Sequence, residues 1–434
     1  MVEFSDRLEE TGLLAERFRG LTKGELIILM GRRRVGKTEL LKKFFKEIPR
    51  EQKIYLFVDE GAKQELLQSF SQDIHTEFPG EKPFFDNWDD FFKYLHERAT
   101  QKGKLVVAID EFQRMKTDKR AFSRLQKAWD EVLKDKPIML VLLGSVVSAI
   151  YKIAINSKSP LYGRATAKIY VDCFDYQAFR EALAHTGLNE EQKIQLYATF
   201  GGMPRYLEFA EKTTRQPYLQ VIEEHVLKKN GLLREEPSTI LQMELKDTGR
   251  YHSILSAIAN GRTTLKQISD ETKIESQSLI FYVTKLNKTL KLIGKKTPVC
   301  GKMSPQYFLK DNFFKFWYYF VAKNTTALEI DNYQYVKDRV KNEIDAFTGK
   351  IFEEIIRELI KKFNNKKLGG MEVSVTELGG WWDRNGNEID VCGQTKETLL
   401  LWEVKWRKQP TDYEEVSKFY KKIGLIQCTP TQKN

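Results

Sequence analysis

The stretch that most constrains the fold of this chain lies at residues 26–44, with the sequence LIILMGRRRVGKTELLKKF. Its apolar run at residues 26–30 predicts a buried β-strand. The loop that follows fits the pattern G-x-x-x-x-G-K-[ST], and the amphipathic run at residues 39–45 predicts a helix. A strand, a glycine-rich loop and a helix in this order are typical of phosphate binding, because backbone N–H groups and a helix N-terminus both favour an anion. The alternative is a glycine turn that only joins a strand to a helix.

The residues of this loop are predicted to bind a nucleotide. They are Gly31, Arg32, Arg33, Arg34, Val35, Gly36, Lys37, Thr38 and Glu39. Lys37 is expected to reach the β- and γ-phosphates, and the hydroxyl of Thr38 is expected to ligate Mg²⁺. The sequence therefore predicts ATP with Mg²⁺ as the ligand of this loop.

A second apolar run, at residues 105–109, predicts another buried strand and ends in Asp110 and Glu111. Asp110 is expected to hold the Mg²⁺ through water, and Glu111 is expected to polarise the attacking water as the general base. A strand that ends in an acidic turn is common by itself. The pattern gains weight here because it follows a phosphate-binding loop in an α/β sequence.

The next apolar run, at residues 138–143, ends in Gly144 and Ser145. In P-loop ATPases the polar residue at this place lies near the γ-phosphate, and this is one role predicted for Ser145. A second, equally open role is that of N-cap for a helix at residues 146–152. Alternating strands and helices indicate an α/β fold, a parallel sheet with helices on both faces, which binds ligands at the carboxyl ends of its strands.

Two arginines stand beside glycine or proline in predicted loops. Arg164 ends the sequence PLYGR, and Arg205 lies in GGMPRYL. An arginine near the γ-phosphate can stabilise the charge of the transition state, either within one chain or from a neighbouring subunit. The alternative for both is a surface arginine beside a turn. Residues 175–245 otherwise predict helices that form a lid.

Residues 251–311 predict three short helices followed by a β-hairpin, which is the pattern of a winged helix-turn-helix. Lysines on and after the third helix suit contacts with DNA phosphates, and they are Lys285, Lys288, Lys291, Lys295 and Lys296. The alternative is a protein-docking module of the same fold. Residues 313–320 are too aromatic to be exposed, and residues 321–346 are polar and resemble a linker.

The last predicted pair of strands, at residues 388–392 and 398–406, carries charged residues. If the turn between the strands centres on residues 395–398, Asp390 lies opposite Glu403, and two carboxylates in that position repel each other. A divalent cation, Mg²⁺ or Mn²⁺, bound by Asp390 and Glu403 is the simplest reason for such a pair. Lys405 is expected to act beside it on a water or a phosphate oxyanion, and Glu353 from the preceding helix could complete the site. The alternative is a salt-bridged hairpin that faces solvent.

Composition sets wider bounds. The chain has 434 residues, 41% of them hydrophobic, so it can build several cores, and its net charge of +11 is compatible with a nucleic-acid partner. A lysine-rich solvated surface would give the same charge. The four cysteines are far apart and are expected to be reduced thiols. No signal peptide and no membrane-spanning run is expected, so we expect a cytoplasmic protein.

The motifs together resemble those of the prokaryotic, largely archaeal-type P-loop ATPases of the AAA+/STAND division, which often carry a C-terminal restriction-endonuclease-like domain. The resemblance rests on GRRRVGKTEL at 31–40, AIDEFQ at 108–113, GSVVS at 144–148, PLYGR at 160–164, GGMPRYL at 201–207, YFLKDNFFKFW at 307–317, GGWWDRNGNEID at 379–390 and LWEVKW at 401–406. It covers nearly the whole chain in the family's order.

The resemblance implies an ATPase core, a winged helix and a PD-(D/E)XK-type nuclease domain. With the lid and the linker predicted from the residues, the segments are the core at 1–174, the lid at 175–245, the winged helix at 246–322, the linker at 323–345 and the nuclease domain at 346–434. It also implies that Lys37, Thr38, Asp110 and Glu111 bind and hydrolyse Mg-ATP, and that Glu353, Asp390, Glu403 and Lys405 form the nuclease metal site. Arg164 and Arg205 become candidate finger or sensor arginines, and Arg7 falls in an N-terminal motif near the nucleotide. The family's nuclease fold continues after Glu-x-Lys with a helix and at least one strand, which here correspond to residues 412–422 and 424–428.

Two functions remain open at this point. The first is an ATPase whose nucleotide state controls a DNA-binding and DNA-cutting C-terminal half. The second is a switch without nuclease activity, in which ATP changes the domain arrangement or assembles copies of the chain, and the last domain only binds nucleic acid or a partner protein.

Overall fold

The computed structural model describes residues 7–301, 303–368 and 370–426. The chain divides into two compact units. Unit 1 comprises Met1–Cys173 together with Met243–Leu245, and unit 2 comprises Phe174–Gln242 and Lys246–Asn434.

Unit 1 is built on a five-stranded parallel sheet. Its strands are β1 (Glu25–Met30), β2 (Lys53–Phe57), β3 (Leu105–Asp110), β4 (Ile138–Gly144) and β5 (Ala167–Tyr170), in the order β2-β3-β4-β1-β5. Every residue of β3 and β4 is buried, as expected for central strands of a parallel sheet that is covered on both faces. The sheet therefore matches the α/β fold predicted from the alternating pattern.

The helices of unit 1 are α1 (Leu8–Arg19), α2 (Lys37–Lys46), α3 (Lys63–Glu77), α4 (Trp88–Lys102), α5 (Ala121–Ala128) and α6 (Val147–Ile150). Aromatic side chains of α3 and α4 pack together on one side of the sheet, with the ring centroids of Phe70 and Phe91 5.1 Å apart. This core fixes the positions of the strands whose carboxyl ends carry the predicted site.

Unit 2 begins with helices, as the sequence predicts. They are α7 (Tyr176–Ala182), α8 (Glu190–Phe200), α9 (Leu207–Lys212), α10 (Tyr218–Ile222) and α11 (Glu236–Glu244), of which the last two residues belong to unit 1. Next come α12 (Gly249–Ala259), α13 (Leu265–Thr272), α14 (Ser276–Thr284) and the antiparallel pair β6 (Ile293–Lys296) and β7 (Gln306–Leu309). Three helices and a hairpin thus follow one another in the predicted order.

The rest of unit 2 comprises α15 (Asn312–Phe316), α16 (Thr325–Glu329), α17 (Tyr333–Lys362), β8 (Lys366–Leu368), β9 (Met371–Val373), β10 (Glu377–Trp382), β11 (Glu388–Gln394), β12 (Leu399–Trp402) and α18 (Tyr413–Ile423). The segment predicted as a linker is largely helical, since α17 begins at Tyr333. Its apolar residues Val336, Val340 and Ile344 recur every four positions and are buried, which places one face of a largely polar helix in the core.

Two further expectations need correction. The last strand was predicted to continue to Trp406, but β12 ends at Trp402 because the carboxylate of Asp390 accepts the backbone N–H of Val404 at 2.7 Å. Cys173 and Cys392 form no disulfide, as expected, whereas Cys300 is disulfide-bonded, since distance along a sequence does not limit which cysteines meet in the fold. Residues 427 and 428, the end of the predicted final strand, lie outside the described residues.

Candidate functional site

The loop between β1 and α2 is shaped for close backbone approach. Gly36 and Arg34 have φ angles of 93° and 68°, and Gly31 lies so close to the neighbouring chain segment that an added Cβ would be 2.4 Å from the carbonyl oxygen of Val171. Val35, a residue of the same loop, is buried. The pattern of glycines in the sequence therefore has a steric basis at Gly31 and a conformational one at Gly36.

The ammonium group of Lys37 is held inside this loop. It donates hydrogen bonds of 2.9 Å to the carbonyl oxygens of both Gly31 and Arg32, and the side chain is only 6% exposed. Burial lowers the pKa of Lys37 to about 8, although the carboxylates of Glu111 and Asp110 oppose that change. The lysine is thus poised at the loop, where anionic oxygens could replace the carbonyls as its partners.

Asp110 at the end of β3 faces the start of α2. Its Oδ2 accepts hydrogen bonds from the Thr38 hydroxyl at 3.1 Å and from the Tyr55 hydroxyl at 2.9 Å, and its Oδ1 accepts the backbone N–H of Glu111 at 2.8 Å. The structure therefore brings Thr38 and Asp110 together, as predicted for two residues that share one Mg²⁺. Tyr55 was not predicted, because a tyrosine in a strand is ordinary in sequence.

Glu111 is held by two other polar side chains. Its Oε2 accepts a 2.9 Å hydrogen bond from the Ser145 hydroxyl and another from the side-chain amide of Gln113. The backbone of Glu111 has φ 53°, in the left-handed region that residues other than glycine rarely adopt. Of the two roles considered for Ser145, the capping role is not seen: the N-cap of α6 is Val146, and the hydroxyl of Ser145 bonds to Glu111 instead.

Glu244 supplies the missing cap and was not predicted. Its carboxylate accepts the backbone N–H groups of Val147 and Ser148 at 2.9 Å each, and the Ser148 hydroxyl bonds to its carbonyl oxygen at 3.0 Å. A carboxylate on the first amides of a helix is favourable for charge and hydrogen bonding alike. No short-range signal reveals it, because almost a hundred residues separate the partners in sequence.

Arg7 lies beside the phosphate-binding loop, as the resemblance implied. Its guanidinium group donates to the carbonyl oxygen of Val35 at 3.4 Å and to that of Asp172, and the side chain is 5% exposed. Among the other loop residues, Arg32 is buried, whereas Arg33, Arg34 and Glu39 are exposed. Glu39 pairs with Lys42 at 2.8 Å.

Arg164 lies near the amino ends of the strands, whereas the phosphate-binding loop follows the carboxyl end of β1. It precedes β5, next to the amino end of β1, and binds both carboxylate oxygens of Asp130 at 2.9 and 2.7 Å. Within unit 1 it is therefore a structural residue, and a role on a neighbouring subunit stays a prediction. Arg205 belongs to unit 2, where it is half-exposed and pairs with Glu208 at 3.1 Å.

The residues around the loop fit a nucleotide with Mg²⁺. The loop has no room for a side chain at Gly31, Lys37 offers a buried cation, and the hydroxyl of Thr38 with the carboxylate of Asp110 offers two oxygen donors on one side. Mg²⁺ in phosphate sites needs few protein ligands, because phosphate oxygens and waters supply the others. The donor set is therefore suited to the predicted ligand.

In unit 2, the predicted carboxylate pair is at the end of the β11–β12 hairpin. The register pairs Val391 with Trp402, so the next opposed positions are Asp390 and Glu403, as the turn at residues 395–398 requires. Lys405 and Lys422 both donate to Oε1 of Glu403, at 2.8 and 2.7 Å. Burial opposes ionisation of Glu403, but these two lysines outweigh it and lower the pKa.

Glu353 on α17 lies in the electrostatic neighbourhood of this pair. Burial, followed by the charge of Asp390, raises the pKa of Glu353 to about 7, and burial likewise raises the pKa of Asp390. Lys296 also points here rather than to solvent: its side chain is 13% exposed, 3.5 Å from Glu388 and stacked over the ring of Trp382. Lys296 is thus not available for the DNA phosphate contact that the sequence suggested.

The predicted metal site of unit 2 is not found as a ligand set. Within the ranges that the structure describes, no group of three or more His, Cys, Asp and Glu side chains is arranged to hold a metal ion. Two lysines occupy one oxygen of Glu403, while the other, Oε2, is buried and has no hydrogen-bond partner among the described residues. The sequence pattern identified which residues approach each other, but it could not show that lysines neutralise them.

The sheet, the loop after β1, the acids after β3 and the serine after β4 define a P-loop NTPase. Residues 4–209 match a family described as an ATPase domain predominantly from Archaea, and residues 317–418 match a family described as archaeal and bacterial proteins of unknown function. Residues 4–209 are accordingly an archaeal-type P-loop ATPase domain, and the chain is an ATP hydrolase.

The chain is also similar to individual proteins. An uncharacterised protein of Methanocaldococcus jannaschii is 26% identical over 98% of this chain and 92% of its own length, and a second one from the same organism is 38% identical over 69 residues, which are 15% of this chain and 66% of its own. The solved Walker-type ATPase of Pyrococcus abyssi has 22% identity and a TM-score of 0.55, covering 73% of this chain and 96% of its own. That likeness supports the fold. Among the helices described here, none is long and apolar enough to cross a membrane.

Proposed function

We propose that this ATPase binds DNA through unit 2 and that its nucleotide state controls the binding. The observation that carries the DNA-binding part is the pair Lys288 and Lys295. Both are exposed, one after the third helix and one on the hairpin of the three-helix and hairpin segment. Phosphates are contacted from such positions in winged helix-turn-helix proteins.

The ATPase site supplies the control. Lys37 and the loop amides would bind the phosphates. Thr38 and Asp110 would hold Mg²⁺, which would supply positive charge beside the phosphate oxygens. Glu111 accepts a proton from the attacking water, and Ser145 and Gln113 fix the orientation of its carboxylate. Arg7 joins the start of the described chain to this loop through its hydrogen bond to the carbonyl oxygen of Val35.

The test is DNA binding by the full chain with ATP, with ADP and without nucleotide. Fluorescence anisotropy with a labelled duplex would compare wild type with Glu111→Gln, which retains ATP, and Lys37→Ala, which cannot bind it. The proposal predicts that DNA affinity differs at least tenfold between the ATP and ADP states and that Lys37→Ala ignores nucleotide. Equal affinity in all three states would contradict nucleotide control, and no DNA affinity at all would favour the reading of unit 2 as a protein-docking module.

DNA cleavage is a second candidate, and the observation that favours it is the approach of three carboxylates, those of Glu353, Asp390 and Glu403. The lysine-bound arrangement of Glu403 does not fit a metal, so we derive no catalytic step from it. Plasmid and single-stranded DNA incubated with Mg²⁺ or Mn²⁺ would decide. Cutting that Asp390→Ala abolishes would support a nuclease, and intact DNA beside normal ATP hydrolysis would leave the site without that activity.

A further inference from the structure

Unit 2 contains a cavity of about 520 Å³ between α17 on one side and α7 with α8 on the other. Its wall is mainly apolar, and the contributing side chains are Ile194, Phe352, Ile355, Ile356, Leu359 and Phe363. Pockets for small ligands typically measure roughly 300–1,000 Å³ and combine such a wall with a few polar groups. The volume and lining are thus those of a site for a small molecule.

Most of the charged groups at this cavity are already paired. Lys362 binds the carboxylate of Asp175 at 2.5 Å, and Arg180 binds Glu190 at 2.9 Å. Glu190 also accepts the hydroxyl of Tyr176. These pairs balance one another and leave no charge on their part of the wall.

Glu358 is the exception. It stands on α17 in the cavity wall, and its side chain is accessible. Its carboxylate accepts the backbone N–H of Tyr176, but it forms no ion pair with a side chain in the described part of the chain. Its neighbours Asp175 and Glu354 carry the same charge, and they are bound to Lys362 and Lys315 respectively. The surrounding protein raises the pKa of Glu358 to about 7, mainly by burial. A carboxylate that has one backbone hydrogen bond and no ion pair therefore remains in the mainly apolar wall of the cavity.

We propose that this cavity binds a small organic cation, an amine carried on an apolar ring system, whose ammonium group pairs with Glu358. A cation would remove the repulsion that Glu358 receives from Asp175 and Glu354. The apolar body would cover side chains such as Phe352 and Leu359, which water now contacts. The charge of Glu358 favours an ammonium group, and the apolar wall favours a ring system. A simple ion lacks the rings and a neutral hydrocarbon lacks the charge, so neither meets both requirements. This site is independent of ATP and DNA binding.

Calorimetry on the full chain would test the site with 1-naphthylmethylamine and its neutral counterpart 1-naphthalenemethanol at pH 8. We expect the amine to bind at least tenfold more tightly than the alcohol. Glu358→Gln, which keeps the shape of the side chain, should abolish that preference while the alcohol binds as before. Glu190→Gln is the matched control, because it removes a carboxylate of the same wall that is already paired, and it should keep the preference.

Thermal melting and ATP hydrolysis would confirm that each variant is folded. Leu359→Trp, which fills the cavity, should weaken both compounds together. Equal binding of amine and alcohol by wild type, or an amine preference that survives in Glu358→Gln, would overturn the proposal. Failure of both compounds to bind folded wild type would overturn it too.

Discussion

The hydroxyl of Ser145 donates a 2.9 Å hydrogen bond to Oε2 of Glu111, which joins the carboxyl ends of the neighbouring strands β3 and β4. The residue that follows β4 thus orients the residue that follows β3. Since a general base acts only from the correct position, we expect ATP hydrolysis to depend both on Glu111 as the base and on Ser145 as the residue that orients it.

Glu111→Gln should lower the rate of ATP hydrolysis by about 10²- to 10⁴-fold, because an amide cannot accept the proton of the attacking water. Ser145→Ala should lower it roughly tenfold, the worth of one orienting hydrogen bond. A fluorescent ATP analogue should bind both variants as tightly as wild type. Ser123→Ala, which removes an exposed hydroxyl bound to Arg120, is the control. A Ser145→Ala variant with the wild-type rate would show that Glu111 needs no support.

ATP affinity should fall as the pH rises above 8. The pKa of Lys37 is lowered to about 8, so its ammonium group loses its proton in the nucleotide-free protein above that pH. ATP binds the charged form, so binding must take up a proton, and the dissociation constant should rise by up to about tenfold per pH unit. Titrations from pH 7 to 9.5 would measure this, with Lys42→Ala as an exposed-lysine control. A flat profile would mean that the lysine stays charged throughout.

Asp130→Asn should destabilise the protein by roughly 0.5–1 kcal/mol, because it breaks a partly exposed ion pair. Arg164→Ala should cost more, because it also removes the hydrogen bonds from Arg164 to the carbonyl oxygens of Pro160 and Tyr162. The double variant should be no less stable than Arg164→Ala. ATP hydrolysis per chain should not change. If Arg164→Ala alone loses hydrolysis, and the wild-type rate rises with protein concentration, Arg164 acts on a neighbouring subunit instead.

The lysines that the sequence analysis assigned together to DNA phosphates should differ in their effect on DNA affinity. If unit 2 binds DNA as proposed, Lys288→Ala and Lys295→Ala should each weaken binding and reduce the slope of log affinity against log salt by about one. Lys296→Ala should leave the slope unchanged, because its ammonium group faces Glu388 and the ring of Trp382. A reduced slope for Lys296→Ala would mean that this lysine leaves the carboxylates when DNA binds.

The parts predicted well from the sequence were those whose physics is local. The phosphate-binding loop needs its glycines and its lysine within eight consecutive residues, and each buried strand is a short apolar run. The contact between Thr38 and Asp110 followed as well, since parallel strands bring their carboxyl ends to one edge. The opposition of Asp390 and Glu403 followed from the length of a single turn.

The partners of these residues could not be predicted in the same way. Tyr55 and Gln113 are ordinary in sequence, and only the fold shows that one reaches Asp110 and the other Glu111. Lys422 reaches Glu403 from a helix whose position no local pattern specifies. The long helix α17 was missed in its first half because a single buried face in a polar sequence resembles a linker when it is scanned for overall hydrophobicity.

The cap formed by Glu244 affects when the ATPase unit can finish folding during synthesis. Residues 243–245 belong to unit 1 although residues 174–242 precede them in the chain. During synthesis the hydrogen bonds from the amide groups of Val147 and Ser148 to Glu244 can therefore form only after the intervening segment has left the ribosome. A fragment that stops at Cys173 contains the phosphate-binding loop and the acidic residues after β3, yet it would leave these two amides uncapped. Nascent chains of that length therefore lack part of the folded ATPase unit.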